Sequence, residues 1–159
     1  MQLFILIALI YMINYIMYNK VLICGLPGSG KTTYANFLIN EYKKNNVPYL
    51  WLNGDRVREE SNDWDFSMEG RLRQTVRMCN LANGVKDKDV IIDYICPLEE
   101  YRYLISPSYL VYLDTGTNTK HENTKKIFEV PNKPDIIITD KDAIELSANN
   151  LFKYLINLH

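Results

Sequence analysis

Histidine is nearly absent: the chain of 159 residues has two, His121 and His159. That argues against a His-rich metal centre and, more weakly, against a Ser-His-Asp triad, both of which are built on imidazole. Cysteine is scarce too. Cys24, Cys79 and Cys96 are odd in number and lack metal-ligand spacing, so they read as reduced thiols, mostly in the core of a cytoplasmic protein. An excess of one charge is also missing. The 18 Lys plus Arg against 19 Asp plus Glu leave a net charge of −1, with no global basic field to hold duplex nucleic acid. No repeat, low-complexity tract or linker follows Lys20, which excludes fibrous and disordered classes. What remains is 47% apolar and 23% charged, the mixture of one globular domain large enough to bury a core.

One long hydrophobic run is present. Residues 1–19 carry no charged side chain, and residues 3–13 are apolar without interruption. A secretory signal fits badly, because no basic region precedes the run and no small-residue cleavage site follows it. Three readings stay open: upstream sequence ahead of a natural start at Met12 or Met17, a membrane anchor on the cytoplasmic side, or a packed N-terminal helix. The anchor would put residues 1–18 in contact with a bilayer. Residues 20–159 are then the functional domain.

From Lys20 onward, apolar runs alternate with segments of helical period, the pattern of a parallel sheet covered on both faces. Strands are expected over residues 21–24, 48–52, 90–95, 109–113 and 135–139. Helices are expected over 32–44, 68–83, 98–105 and 143–158, with Ser67 capping the second. Five strands joined by right-handed crossovers make an α/β domain, a five-stranded parallel sheet with helices on both faces.

Between the first strand and first helix lies Gly25-Leu26-Pro27-Gly28-Ser29-Gly30-Lys31-Thr32, which fills every fixed position of G-x-x-x-x-G-K-[ST]. Glycines allow the backbone angles and close approach that a phosphate chain requires, and the loop amides and the helix N-terminus surround it. Lys31 would reach the β- and γ-phosphates of ATP, and the Thr32 hydroxyl would sit on Mg²⁺. Thr33 belongs to the same nucleotide-binding set by position, as a helix residue without chemistry of its own. The fold class is therefore that of the P-loop NTPases. A guanine-reading signature is matched in letters by Asn132-Lys133-Pro134-Asp135, but its proline is abnormal and it precedes a strand instead of ending one. A motor module would need more chain, so a small-molecule kinase is the leading class.

Asp55 falls after the second strand, at the sheet edge where open α/β domains carry ligands. It could accept a proton from an attacking hydroxyl, hold Mg²⁺, or cap a helix. Arg58 and Arg71 suit bidentate anion binding, whereas Arg73 and Arg77 read as a solvated helix face. Asp93 ends an apolar strand and resembles a second Mg²⁺-organising carboxylate.

At these residues the sequence resembles the adenylylsulfate kinases, which phosphorylate the 3′-hydroxyl of adenosine 5′-phosphosulfate with ATP. That family carries the phosphate loop, Asp-Gly-Asp-x-x-Arg, Phe-Ser-x-x-x-Arg, an Ile-Ser-Pro-like strand end and Tyr-Glu-Pro-Pro after a mobile lid. Here they stand as residues 25–32, Asn53-Gly54-Asp55-Arg56-Val57-Arg58, Phe66-Ser67-Met68-Glu69-Gly70-Arg71, Ile95-Cys96-Pro97 and Phe128-Glu129-Val130-Pro131. The resemblance implies Asp55 and Lys31 as catalytic residues and Thr32, Asp55 and Asp93 around the metal. It implies Arg58 and Arg71 on the acceptor's anionic group, Phe66 on its base, and Gln74, Ile95 and Cys96 in the same pocket. Thr139 would line the adenine site, and Asp142 beside it is read as the cap of the last helix. Arg102 stays open between the transferring phosphate and a surface salt pair. Family members often pair as homodimers.

Departures are informative. Asn53 replaces the first Asp of the family pair and suits a cap or turn. Gln74 stands for an Asn, and Asp93 for a residue usually neutral. The lid is short, and Lys120, Lys125 and Lys126 read first as solvated loop lysines, with replacement of a lid cation by one of them as the other reading. The short lid leaves the acceptor nucleotide open: adenosine 5′-phosphosulfate, another such as cytidine diphosphoramidate, a polynucleotide end or a metabolite. A nucleotide-binding module without turnover is the reading from another class, and Asp55 together with Lys31 and Thr32 argues against it.

Overall fold

The structure is a computed structural model and describes residues 18–116 and 121–157. Most of the apolar leader, with the membrane contact attached to it, lies outside the described residues, as does Lys120. Among the described residues no helix is long and apolar enough to cross a membrane.

Five parallel strands form one sheet: β1 (Lys20–Gly25), β2 (Tyr49–Asn53), β3 (Asp89–Asp93), β4 (Tyr109–Leu113) and β5 (Ile136–Ile138), in the order β2-β3-β1-β4-β5. The central strand β1 pairs with both β3 and β4 along its edges, and helices cover both of its faces, so it reads as a continuous apolar run. Its side chains alternate between two cores. Val21 and Ile23 pack beneath α1 (Lys31–Lys44) and the C-terminal helix, whereas Leu22 and Cys24 face the opposite layer. That opposite layer contains α2 (Gly54–Glu60), α3 (Met68–Asn83) and α4 (Glu99–Ile105), while α5 (Glu122–Ile127) and α6 (Ile144–Ile156) follow β4 and β5. Burial raises the Cys24 thiol pKa to about 12 and that of Cys96 well above its usual value, so both are inert core thiols.

At the strands' N-terminal edge, Asp89 is buried and accepts from the Asn19 backbone amide at 2.6 Å and from the Tyr42 hydroxyl at 2.7 Å. A buried carboxylate held this way secures the start of β1.

Several boundaries differ from the sequence expectation. Strand β3 stops at Asp93, two residues before the expected end; the Tyr94 amide still donates to the Ile23 carbonyl at 3.2 Å, and Cys96 beyond it has a left-handed φ of 46°. Strand β5 stops before Thr139. Asp142 does not cap the last helix; its own amide donates to the Asp140 carboxylate at 2.9 Å, which caps the short turn ahead of α6. Helices α2 and α5 lie outside the four expected helical ranges, although the cap readings of Asn53 and Asp55 point to a helix start where α2 stands. Asn53 caps α2 by accepting from the Arg56 amide at 3.0 Å, so the capping role considered for Asp55 belongs to Asn53.

A candidate phosphotransfer site

Strand β1 ends at the phosphate loop. Gly25, Gly28 and Gly30 have φ of 149°, 78° and 100°, a conformation that L side chains rarely adopt. Gly25 is also confined: a Cβ there would lie 2.6 Å from the Leu113 carbonyl oxygen and 2.8 Å from Ser29 Oγ. Gly25→Ala is therefore expected to lower stability by roughly 2–4 kcal/mol, through overpacking against backbone and an unfavourable φ. Urea unfolding checks this, and a loss below about 1 kcal/mol would show the loop to be more pliable than its geometry implies.

One cleft of about 970 Å³ opens at the C-terminal ends of the strands. Pro27, Gly28, Gly30, Lys31, Thr32 and Thr33 line it, whereas Gly25, Leu26 and Ser29 do not and instead shape the loop from behind. Lys31 Nζ donates to the Leu26 carbonyl at 2.9 Å, and the buried Ser29 accepts at its carbonyl from Thr115 Oγ1 at 2.8 Å. Burial lowers the Lys31 pKa, an effect opposed by the nearby charges of Asp93 and Asp55.

Beside the loop, Asp93 is buried at 2% exposure. Its Oδ2 accepts from Thr32 Oγ1 at 2.7 Å and from Asn53 Nδ2 at 2.8 Å. Desolvation raises the Asp93 pKa, against those two hydrogen bonds and the Lys31 charge. Asp55 lines the cleft from the first turn of α2 and is exposed. Thr32, Asp93 and Asp55 thus offer hydroxyl and carboxylate oxygen, the donor type a small hard cation takes.

At the far end, Arg58 and Arg71 are buried and both line the cleft. Arg58 Nη1 donates to the Asp63 and Asp65 carbonyls at 2.9 and 3.1 Å. Arg71 donates from Nε to the Phe66 carbonyl at 2.8 Å and from Nη2 to Thr124 Oγ1 on α5 at 2.9 Å. Their guanidinium carbons stand 4.7 and 5.6 Å from the centre of the Phe66 ring. Arg58, Phe66 and Arg71 are thereby one unit, brought together from α2, the following loop and α3.

Four expected site residues fall elsewhere. Gln74 is fully buried and does not line the cleft; its amide donates to the Gly54 carbonyl at 2.9 Å, tying α3 to α2. Cys96 is buried behind the wall while its neighbour Ile95 lines it. Thr139 is exposed outside the cleft, and Lys141 and Ile144 line that end in its place. Arg102 does not line the cleft: it forms the salt pair, with Glu99 at 2.8 Å, but from a buried position, and it also donates to the Cys96 and Glu129 carbonyls, each at 2.7 Å. Arg73 and Arg77 are not merely solvated, since both bind Asp63, at 3.1 and 2.9 Å.

The family model for adenylylsulphate kinase matches residues 18–126, which include the loop, both carboxylates and the arginine–phenylalanine unit. The chain belongs to the adenylylsulfate kinase family. It is 27% identical over 161 residues to an adenylyl-sulfate kinase of Buchnera aphidicola, covering 84% of this chain and 78% of that one. A shorter match, 28% over 68 residues, is to the cytidine diphosphoramidate kinase of Campylobacter jejuni, covering 43% and 40%. In structure it resembles the APS kinase CysC of Mycobacterium tuberculosis in complex with AMPPNP and APS, at TM-score 0.77 and 24% identity, covering 87% and 98%. The fold is thus that of a P-loop kinase, and the chain is a phosphotransferase of the adenylylsulfate kinase type.

Some cleft residues of this family member had no sequence signal. Trp64, Tyr94, His121, Asn123 and Lys141 reach the cleft from loops and from α5, outside any fixed-spacing motif.

Proposed function

We propose that the chain transfers the γ-phosphoryl group of ATP to the 3′-hydroxyl of a nucleotide acceptor, adenosine 5′-phosphosulfate being the first candidate. What carries this reading is that one cleft holds Lys31 and Thr32 of the phosphate loop, the exposed carboxylate of Asp55 and the Arg58–Phe66–Arg71 unit. Asp55 orients the attacking hydroxyl and takes its proton. Lys31 neutralises charge on the transferring phosphoryl group, and the arginines hold the acceptor's anion. Thr32, Asp93 and Asp55 would hold Mg²⁺, which supplies charge neutralisation on the phosphates when bound. Phosphoryl transfer depends chiefly on such positioning, so nothing more is required of the protein.

Cytidine diphosphoramidate is the second acceptor, favoured by the match to a kinase of that name and by the short segment between β4 and α5. A cytoplasmic location agrees with three cysteines present as free thiols.

The test is coupled ADP release with Mg-ATP and a panel of adenosine 5′-phosphosulfate, cytidine diphosphoramidate, a nucleoside and a 5′-hydroxyl oligonucleotide. Turnover with the phosphosulfate alone is expected. Turnover confined to another acceptor moves the chain to that substrate, and tight ATP binding with no turnover overturns the kinase reading for this panel.

A further inference from the structure

Trp64 is the largest side chain in the cleft that the mechanism leaves unused. It lines the cleft and is 49% exposed, next to Phe66 at 50%, so the two rings form a contiguous exposed aromatic surface. Its ring centre is 6.4 Å from that of Phe66, at an interplanar angle of 43°. Phe66 is already engaged by the two guanidinium groups beside it.

The segment carrying Trp64 is held on both sides. Arg73 binds Asp63 at 3.1 Å and Asp65 at 3.0 Å, and Arg77 binds Asp63 at 2.9 Å. Arg58 binds the carbonyls of the same two aspartates. The hydrogen bonds from Arg73 and Arg77 also hold the Asp63 carboxyl well below the usual carboxylate range. Three arginines therefore fix the backbone on either side of an exposed ring, which limits the ordering entropy left for a ligand to overcome.

We propose that Trp64 is a base-stacking contact for the acceptor nucleotide, an aromatic platform beside Phe66, next to the Arg58 and Arg71 guanidinium groups that hold the acceptor's anionic end. This rests on the reading of the cleft as a nucleotide-acceptor kinase. Every nucleobase offers a π-face, and indole overlaps the two rings of a purine more fully than one pyrimidine ring. Trp64 therefore also biases the site toward a purine acceptor.

The experiment uses full-length protein carrying Trp51→Phe, which leaves Trp64 as the one tryptophan, since the chain has two. Adenosine 5′-phosphosulfate and cytidine diphosphoramidate are titrated separately while indole emission is followed, and both are assayed as acceptors. The expected result is saturable quenching by the purine nucleotide. Trp64→Ala should raise the acceptor KM about tenfold, with kcat and the KM for ATP within about twofold, and Trp64→Phe should recover most of the loss. An acceptor that is turned over yet neither quenches Trp64 nor loses affinity in Trp64→Ala overturns the proposal while leaving the kinase reading intact. If neither nucleotide is turned over, the kinase reading fails for these acceptors. The titration then still decides Trp64: saturable quenching supports the contact, and none overturns it.

Discussion

Asp55→Asn is expected to lower turnover by about a thousandfold while ATP affinity stays within about threefold, because in the proposed reaction the substitution removes the group that accepts the hydroxyl proton. The geometry makes this a clean comparison. Asp55 is exposed and Asn53 performs the helix cap, so the fold has little to lose. The favourable placement of an anion in the first turn of α2 is worth about 0.3–1 kcal/mol, too little to confuse with a catalytic defect. Single-turnover measurements at saturating Mg-ATP and acceptor, alongside equilibrium ATP binding, separate the two effects. A variant that retains more than about a tenth of the rate would assign Asp55 to α2 and not to the chemistry.

The second large effect is expected at Asp93, where activity and stability should move in opposite directions. Both hydrogen bonds received by Asp93, from Thr32 and from Asn53, land on the same oxygen. An asparagine carbonyl in that place can accept both, while the buried charge disappears. Asp93→Asn should lose activity by about a hundredfold or more, since in the proposed reaction a carboxylate that would organise Mg²⁺ is gone. The protein without nucleotide and divalent metal should melt no lower than wild type, and a gain of 1 kcal/mol would appear as about 2–4 °C.

The pH dependence of that comparison has a definite sign. Burial raises the Asp93 pKa, so the folded protein holds this proton more tightly than the unfolded chain. The corresponding stability is present below the ordinary carboxylate pKa and is lost as pH rises through the folded value. Wild type and Asp93→Asn should thus melt together in acid and separate above it, with the variant higher. Scanning calorimetry in EDTA across that window checks this. A variant that melts several degrees lower at neutral pH would show the charge to be fully compensated by Lys31 and its hydrogen bonds.

Legibility in the sequence followed how local the cause was. The phosphate loop was readable because its glycines, lysine and threonine act through backbone angles and a helix start set within eight residues. Ser67 was readable as a cap, and it accepts from the Gly70 amide at 3.1 Å. Helix α3 was expected over the residues it occupies, Met68–Asn83, because its period persists for four turns. Helix α2 was legible only through its candidate caps, Asn53 and Asp55, because Val57 is the one large apolar side chain in Gly54–Glu60 and no period can show, whereas the equally short α4 carries Tyr101, Leu104 and Ile105. Arg102 looked like a surface or phosphate ligand, and only packing revealed that it supports the Cys96 and Glu129 carbonyls from inside.

By itself, then, the sequence determined the alternating α/β order, the phosphate loop and the family, because each rests on spacing along the chain. The tertiary structure decided which polar residues meet. Gln74 and Arg71 lie three positions apart on one helix, yet Arg71 lines the cleft and Gln74 is turned into the α2 contact. Trp64 carries no motif, and it becomes a cleft residue only because arginines on α2 and α3 hold its loop against Phe66. Such placements depend on contacts between elements distant in sequence, and no local pattern of residues encodes them.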